Sequence, residues 1–427
     1  MRIKLKKLII QGGAKLKGTV RVSGSKNATL PIMAAAILAD TPSVINKIPL
    51  VTDIFTMAEL LQNLGAGVDL KQKQHSIKIS PESINNFKAP YELVKKMRAS
   101  IYVLGPLVAK YKKAKVSMPG GCAIGLRPID LHIKGIKKLG AKIEIRHGYV
   151  IAEAKKLKGA KIIFDKVSVG ATVNCLLAAV LAKGTSVFEN VSKEPEVVDT
   201  VNFLKKMGAD IKGEGTSTLI INGVEKLKGI EYEVIPDRIE AATLIAAAVM
   251  TRGDVVVENI VPEHLDAFFE KLKEAGAKFE IGKNFVHILP YKNKLKAVDI
   301  ITEPYPGFPT DIQAQWMALM TLAKGDSIIK ETIWENRFMH VLELNRMGAD
   351  ITIQGNTAVV SGINKLSAAD VMASDLRASA ALIIAGLMAE GKTVVRRIYH
   401  LERGYEKFYN KLKKLGARLK IKSEKII

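Results

Sequence analysis

Apolar positions along this 427-residue chain fall into two alternating helical patterns. The first is rich in alanine and apolar nearly all round, over roughly 27–39, 98–110, 170–182, 238–250, 311–323 and 375–387. A helix with no polar face has to be surrounded by protein, so these six stretches predict buried helices. The second pattern is amphipathic, rich in Leu and Lys, and ends in Gly-Ala before a short apolar run: LLQNLGAGV, GIKKLGAKI, FLKKMGADI, KLKEAGAKF, ELNRMGADI and KLKKLGARL. Its glycines are Gly65, Gly140, Gly208, Gly276, Gly348 and Gly416, at steps of 75, 68, 68, 72 and 68 residues. Each sits where a helix C-cap needs a residue that tolerates positive φ.

Each buried helix leads into a turn and a β-branched run, as in AKGTSVFENV and TRGDVVVENI. The chain therefore reads as six copies of one unit: strand, buried helix, strand, exposed helix and further short strands, over roughly 70 residues. That alternation predicts packed α/β layers, in two similar domains of three βαβαββ-type repeats with the buried helices inside. Repeats 1–3 are expected over 20–229. Repeats 4–6 are expected over 230–427, made discontinuous by 1–19, because a strand near Ile3–Ile10 precedes the first repeat and should pair with the last.

Composition narrows the class. Apolar residues make 48% and charged residues 25% of the chain, as in a soluble globular protein. Apolar runs such as Ala378–Ala389 fall short of the roughly 18 residues a membrane span needs. The basic start MRIKLKKLII has too short an apolar stretch for a signal peptide. Two cysteines make no disulfide framework, so the expectation is a reduced, cytoplasmic protein without membrane association. The net charge of +23 comes from 65 Lys and Arg, only 14 of them Arg. The lysines are spread over predicted exposed helix faces, which reads as a solvated surface rather than a nucleic-acid footprint. No aromatic stacking stripe or nucleic-acid motif accompanies them.

The starts of the buried helices carry the chemistry: Lys26-Asn27, Arg98, Ser168–Gly170, Asp237-Arg238, Thr310-Asp311, and Asp375 with Arg377. Helix N-termini offer free N–H groups and partial positive charge, so each is a potential anion site. An Asp there can equally be a plain N-cap. A first-turn Arg opposes the macrodipole and needs another reason to be present. If equivalent helices point the same way, three such ends per domain converge, and two facing domains enclose a cationic cleft.

One connection departs from the repeat. From β-branched strand residue to glycine mark the siblings span 20–22 residues, but Val116 to Gly140 spans 24. The extra length falls in SMPGGCAIGLRPIDLH, where Cys122 lies among Gly120, Gly121 and Gly125 with Arg127 five residues on. Glycines allow a mobile loop, and a nearby cation favours an ionisable thiol. From these residues alone, a reactive thiol and an ordinary packed cysteine stand about even. Cys175, inside VNCLLAAV, reads as core. His75, His147, His264, His287, His340 and His400 show no metal-ligand spacing.

The segments GSKNATLP, MRASIYVLGPLVA, PGGCAIGLRPIDLH, DKVSVGAT, EPEVVDT, PDRIE, FPTDIQAQ, ENRFMH, SDLRASA and HLERGYE occur in this order. Together they resemble the UDP-N-acetylglucosamine enolpyruvyl transferase (1-carboxyvinyltransferase) family from about residue 3 to 420. The PGGC…RP…DLH segment separates it from the sister shikimate-pathway transferases, which lack that cysteine loop. The resemblance implies an inside-out α/β barrel in each of two domains, with the active site in the cleft between them. It implies transfer of enolpyruvyl from phosphoenolpyruvate to the 3′-hydroxyl of UDP-N-acetylglucosamine, with phosphate released, as the first committed step of peptidoglycan precursor synthesis. It also implies no cofactor or metal, and a monomer is expected.

The resemblance further implies residue roles. Cys122 protonates C3 of phosphoenolpyruvate and is the target of fosfomycin-type epoxides, and Asp311 accepts the sugar hydroxyl proton. Lys26, Arg98, Arg127 and Arg403 hold phosphoenolpyruvate, with Lys26 and Arg403 in the catalytic set. Arg337 and Asp375 line the same cleft, Arg377 belongs to the substrate-binding set where contacts also govern domain closure, and Asn27 and Asp311 grip the sugar. Arg127, His132, Lys166, Ser168, Val169 and Gly170 hold the uridine diphosphate, Pro128, Asp130 and Leu131 complete the substrate-binding set, and Ile333 offers a backbone contact to the sugar amide. The chain departs from many relatives at Val51-Thr52-Asp53, which lacks a basic residue before the Asp, at Ala123 and at Ile333. A non-catalytic UDP-sugar-binding regulator and a basic nucleic-acid-binding protein are the competing readings. The first has no use for an intact acid and base.

Overall fold

The computed structural model describes residues 5–118 and 129–424. Six four-stranded sheets and six buried helices make up two compact units, one of 24–118 with 129–235, the other of 5–23 with 236–424. The buried helices are Lys26–Ala35, Leu104–Tyr111, Val169–Ala179, Arg238–Met250, Gln313–Met320 and Leu376–Met388. The 3-10 segments Arg98–Val103 and Thr310–Ile312 lead into the second and fifth. All thirteen residues of Arg238–Met250 are buried, as a helix without a polar face requires. In the unit of 5–23 with 236–424 the three helices pack on one another; in the other, Leu104–Tyr111 packs on Val169–Ala179, and Lys26–Ala35 joins them through the adjoining 3-10 segments; each unit closes its own hydrophobic core.

Every sheet repeats one topology. In the third repeat, Lys161–Ile163 runs parallel to Thr185–Glu189, which pairs antiparallel with Thr218–Asn222, and that in turn with Asp210–Lys212. The parallel pair is joined through the buried helix, because parallel strands need a long crossover. Burial alternates along Thr218–Asn222, so one face rests on the helices and the other meets solvent. The six glycine marks all have positive φ, from 84° at Gly276 to 108° at Gly208, as the ends of the outer helices demand.

The repeat phase misses one exchange. Lys17–Arg21, which leads the first repeat, pairs with Asp254–Glu258 in the sheet of the fourth. Glu231–Glu233, which leads the fourth, pairs with Ser43–Asn46 in the sheet of the first. The units therefore break after Ser23 and after Ile235, four and six residues beyond the divisions the repeat phase suggests. Leu5–Gln11 lies between Lys392–Arg396 and Arg418–Glu424, inside the sheet of the last repeat.

Buried charge fixes both break points. Asp199, 2% exposed, accepts from the Tyr232 hydroxyl at 2.6 Å and from the Ile235 N–H at 3.3 Å. Burial pushes its carboxyl up to about 6 despite those bonds, and the neighbouring Glu196 adds to the rise. At the other break, buried Glu240 pairs with Lys411 and accepts from the Ser23 N–H at 2.8 Å. Lys411 also donates to the Ser23 hydroxyl at 2.7 Å.

Candidate active site

Three buried helices begin with an aspartate in the unit of 5–23 and 236–424, and only two of those aspartates are caps. Asp237 Oδ1 accepts from the N–H groups of Ile239 and Glu240, and Asp375 Oδ1 from those of Arg377 and Ala378. Asp311 instead faces two side chains. Arg337 Nη2 lies 2.7 Å from Oδ1 and Arg377 Nη2 lies 2.7 Å from Oδ2. The arginines are 5% and 7% exposed, whereas the Asp311 side chain keeps 28% of its surface, so the carboxylate is accessible from the side the arginines leave open. Burial works to raise its proton affinity, but the Arg377 and Arg337 guanidiniums overcome it and hold the carboxyl well below the usual range.

The arginines are themselves braced. The Arg377 guanidinium lies over the Tyr405 ring at 5.2 Å, and the Tyr405 hydroxyl is bonded to Thr243 at 2.9 Å and Gln315 at 3.1 Å. Arg337 Nη1 donates to the Thr310 hydroxyl at 2.9 Å. Thr310 lies 2.8 Å from Oε2 of Glu331, which is 2% exposed and also accepts from the N–H groups of Ile333 and Trp334. The N–H of Ile333 is thereby committed to Glu331. His340, held neutral by burial with its imidazole down at about 4, lies near Asp375 and Arg337. Arg403 is half-buried.

The unit of 24–118 with 129–235 carries the other predicted residues. Lys26 begins its helix behind the Ser25 cap and pairs with buried Asp53 at 3.2 Å, with half-buried Asn27 beside it. His132 is buried on the Asp130–Lys138 helix, next to half-buried Leu131, with Asp130 exposed in its first turn. The Asn174 amide donates to the Ile101 carbonyl at 2.9 Å and meets His132 Nδ1 at 3.0 Å, while its Oδ1 takes the Gly105 N–H. Nδ1 must then accept, which leaves the proton on Nε2. Burial, helped by Arg98, takes the imidazole down to about 3, so the ring is neutral. A Cβ added to Gly170 would lie 3.0 Å from Nε2, so only glycine lets the ring sit over that helix start. Ser168 caps the same helix, with half-buried Val169 and Gly170 next in line and Lys166 exposed.

Cys122, Arg127 and Pro128 lie outside the described residues. Cys175 is fully buried, and its thiol is pushed up by burial, as a core cysteine's should be. Sequence reasoning missed Glu331, Tyr405 and Asn174. Tyr405 sits inside the HLERGYE segment, but Glu331 and Asn174 carry no motif signal. Among the described residues no group of three or more His, Cys, Asp or Glu could hold a metal, and no helix is long and apolar enough to cross a membrane.

Known proteins resemble this chain in sequence and in fold. The family model for EPSP synthase (3-phosphoshikimate 1-carboxyvinyltransferase) matches residues 10–412. The UDP-N-acetylglucosamine 1-carboxyvinyltransferase of Thermodesulfovibrio yellowstonii is 55% identical over 414 residues, 97% of this chain and 99% of that one. The protein of the same name from Geotalea uraniireducens is 56% identical over 411 residues, 96% and 98% of the two chains. Among solved structures, the enolpyruvyl transferase NikO from Streptomyces tendae superposes with a TM-score of 0.90 at 26% identity, over 99% of this chain and 100% of that one. An EPSP synthase from Acinetobacter baumannii, at 19% identity and a TM-score of 0.77 over 98% and 100% of the two chains, shares the fold. The chain belongs to the enolpyruvyl transferase family, with the UDP-N-acetylglucosamine 1-carboxyvinyltransferases among its relatives.

Proposed function

We propose that this protein transfers the enolpyruvyl group of phosphoenolpyruvate to the 3′-hydroxyl of UDP-N-acetylglucosamine and releases phosphate. Identity above half with transferases of that name over nearly the whole chain carries the reading. In the addition step the 3′-oxygen bonds to C2, C3 gains a proton from Cys122, and the hydroxyl proton passes to Asp311. In the elimination step phosphate leaves C2 as a C3 proton is lost, which restores the double bond. Two guanidiniums make Asp311 a weak base, so it takes the proton only as the new C–O bond makes the hydroxyl acidic.

Phosphoenolpyruvate carries nearly three negative charges, and we assign its phosphate and carboxylate to Lys26, Arg98, Arg127 and Arg403, with Arg337, Asp375 and Arg377 beside them. The nucleotide goes to Arg127, Pro128, Asp130, Leu131, His132, Lys166, Ser168, Val169 and Gly170. Neutral His132 suits this role, because its Nε2 proton is a donor that does not depend on pH across the physiological range. Asn27 and Asp311 hold the sugar. Ile333 supplies its carbonyl, since its N–H is already bonded. The protein works as a monomer in the cytoplasm, where both substrates are available. Phosphate release from phosphoenolpyruvate, followed with and without UDP-N-acetylglucosamine, tests the reading: release should require the sugar nucleotide, and sugar-independent or absent release overturns it.

A further inference from the structure

We propose that Glu331 is a positioning residue for Asp311, acting through the Thr310 hydroxyl and the Arg337 guanidinium to fix where Asp311 points. The inference rests on the reading of Asp311 as the base. Glu331 accepts four hydrogen bonds. Oε1 takes the Thr302 hydroxyl at 2.8 Å and the N–H groups of Ile333 and Trp334 at 2.8 and 3.1 Å, and Oε2 takes Thr310 at 2.8 Å. A carboxylate only accepts and a guanidinium only donates. The Thr310 proton must therefore go to Glu331, which turns an oxygen lone pair toward Arg337 Nη1 at 2.9 Å. Donation runs outward from Arg337 in both directions, Glu331 ← Thr310 ← Arg337 → Asp311, so every donor and acceptor role along it is fixed.

Two observations give this relay its weight. Arg337 is 5% exposed, and its Nε has no hydrogen-bond partner among the described residues, so Nη1 and Nη2 alone anchor it there. Without the Thr310 hydroxyl, Nη1 would have no hydrogen-bond partner among the described residues. The charges also balance, since Glu331 and Asp311 offset Arg337 and Arg377 in a cluster where uncompensated charge is costly. Glu331 further binds the loop that bears Ile333, so one side chain sets the base and the proposed sugar contact together.

Steady-state kinetics on Thr310→Val, Thr310→Ser, Glu331→Gln and the Glu331→Gln/Thr310→Val double variant test the relay. Thr310→Val keeps the shape and removes the hydroxyl. It should lower kcat about tenfold or more, the worth of one hydrogen bond to a charged group, with KM for both substrates within about threefold. Thr310→Ser should keep kcat within about threefold of the parent. Because the residues act as one chain, the double variant should lose little more than the worse single variant. Near-parental kcat in Thr310→Val, equal losses in Val and Ser, or additive losses in the double variant would overturn the proposal. Should Glu331→Gln fail to fold, the Val and Ser pair decides. Asp311→Asn in the same assay separates the two layers: if it is impaired while Thr310→Val is not, the relay alone fails, and if it is near normal, the base assignment falls and takes the relay with it.

Discussion

Asp199 gives the protein a defined response to pH. Its carboxyl titrates near 6 in the folded chain against an ordinary 3.8, so the folded state binds this proton more tightly than the unfolded state does. A group whose affinity is raised on folding favours the folded state at low pH, and that advantage disappears as pH climbs through the folded value. Between about pH 4 and 6 the folded state loses up to about 3 kcal/mol, and above 6 the whole amount is missing, at 1.36 kcal/mol for each tenfold change in proton affinity. Asp199→Asn keeps the shape, can take the Ile235 N–H on its oxygen and can donate to the Tyr232 oxygen. At pH 7.5 it should be more stable than the parent by up to about 3 kcal/mol, a rise of roughly 6–12 °C in the melting of a unit of this size. The gain should shrink as pH falls through 6 and vanish below about 4. Circular dichroism melts at pH 4, 5, 6 and 7.5 measure it. Trp316 and Trp334, the chain's two tryptophans, lie in the other unit, so their emission is an internal reference. A variant less stable than the parent at pH 7.5, or a gap that does not change with pH, would refute the reasoning.

Other outcomes follow from the same structure. An epoxide phosphonate of the fosfomycin type should add once, at Cys122, because Cys175 is buried with a raised thiol; mass spectrometry that finds Cys175 modified, or neither, contradicts this. Asp311→Asn should bind both substrates nearly as the parent does yet transfer far more slowly, measured by calorimetric titration beside phosphate release. Lys411→Met leaves the buried Glu240 carboxyl without its cation, and should cost about 3–5 kcal/mol in denaturant unfolding, with most of it recovered when Glu240→Gln is added. Gly170→Ala should raise the KM for the nucleotide sugar with little change in kcat, since the new methyl must displace a His132 ring that Asn174 holds in place.

Local signals make the six repeats legible in the sequence. Gly65 and its five counterparts mark helix ends because few other residues accept that backbone, and an Ala-rich stretch with no polar face can only be interior. The exchange of Lys17–Arg21 with Glu231–Glu233 was not readable, because a three-residue Glu-Tyr-Glu strand carries no record of its partner. Pairing across nearly two hundred residues is settled by packing, not by propensity. The same divide runs through the candidate site. Thr310-Asp311 and Asp375 with Arg377 stand out at helix starts, but a helix-start Asp reads alike whether it caps or faces arginines, and only the fold separates Asp311 from Asp237 and Asp375. Glu331, just past the Asp326–Lys330 strand, looks in sequence like any solvated charge. Its function exists only once Thr302, Thr310 and the 333–334 backbone close around it.

The place of Leu5–Gln11 between Lys392–Arg396 and Arg418–Glu424 imposes an order on biosynthesis. Every described strand of the 24–235 unit has left the ribosome once residue 233 is free, so that core can close early. Leu5–Gln11 waits for a final partner whose last residue comes 189 positions after residue 235, about 10 to 40 s at ordinary elongation rates. For most of that interval, until Lys392–Arg396 is made, an apolar strand, Leu-Lys-Lys-Leu-Ile-Ile-Gln, is without both of its neighbours. Lys6 and Lys7, side by side in it, supply the like charge that discourages two nascent chains from pairing edge to edge before the proper partners arrive.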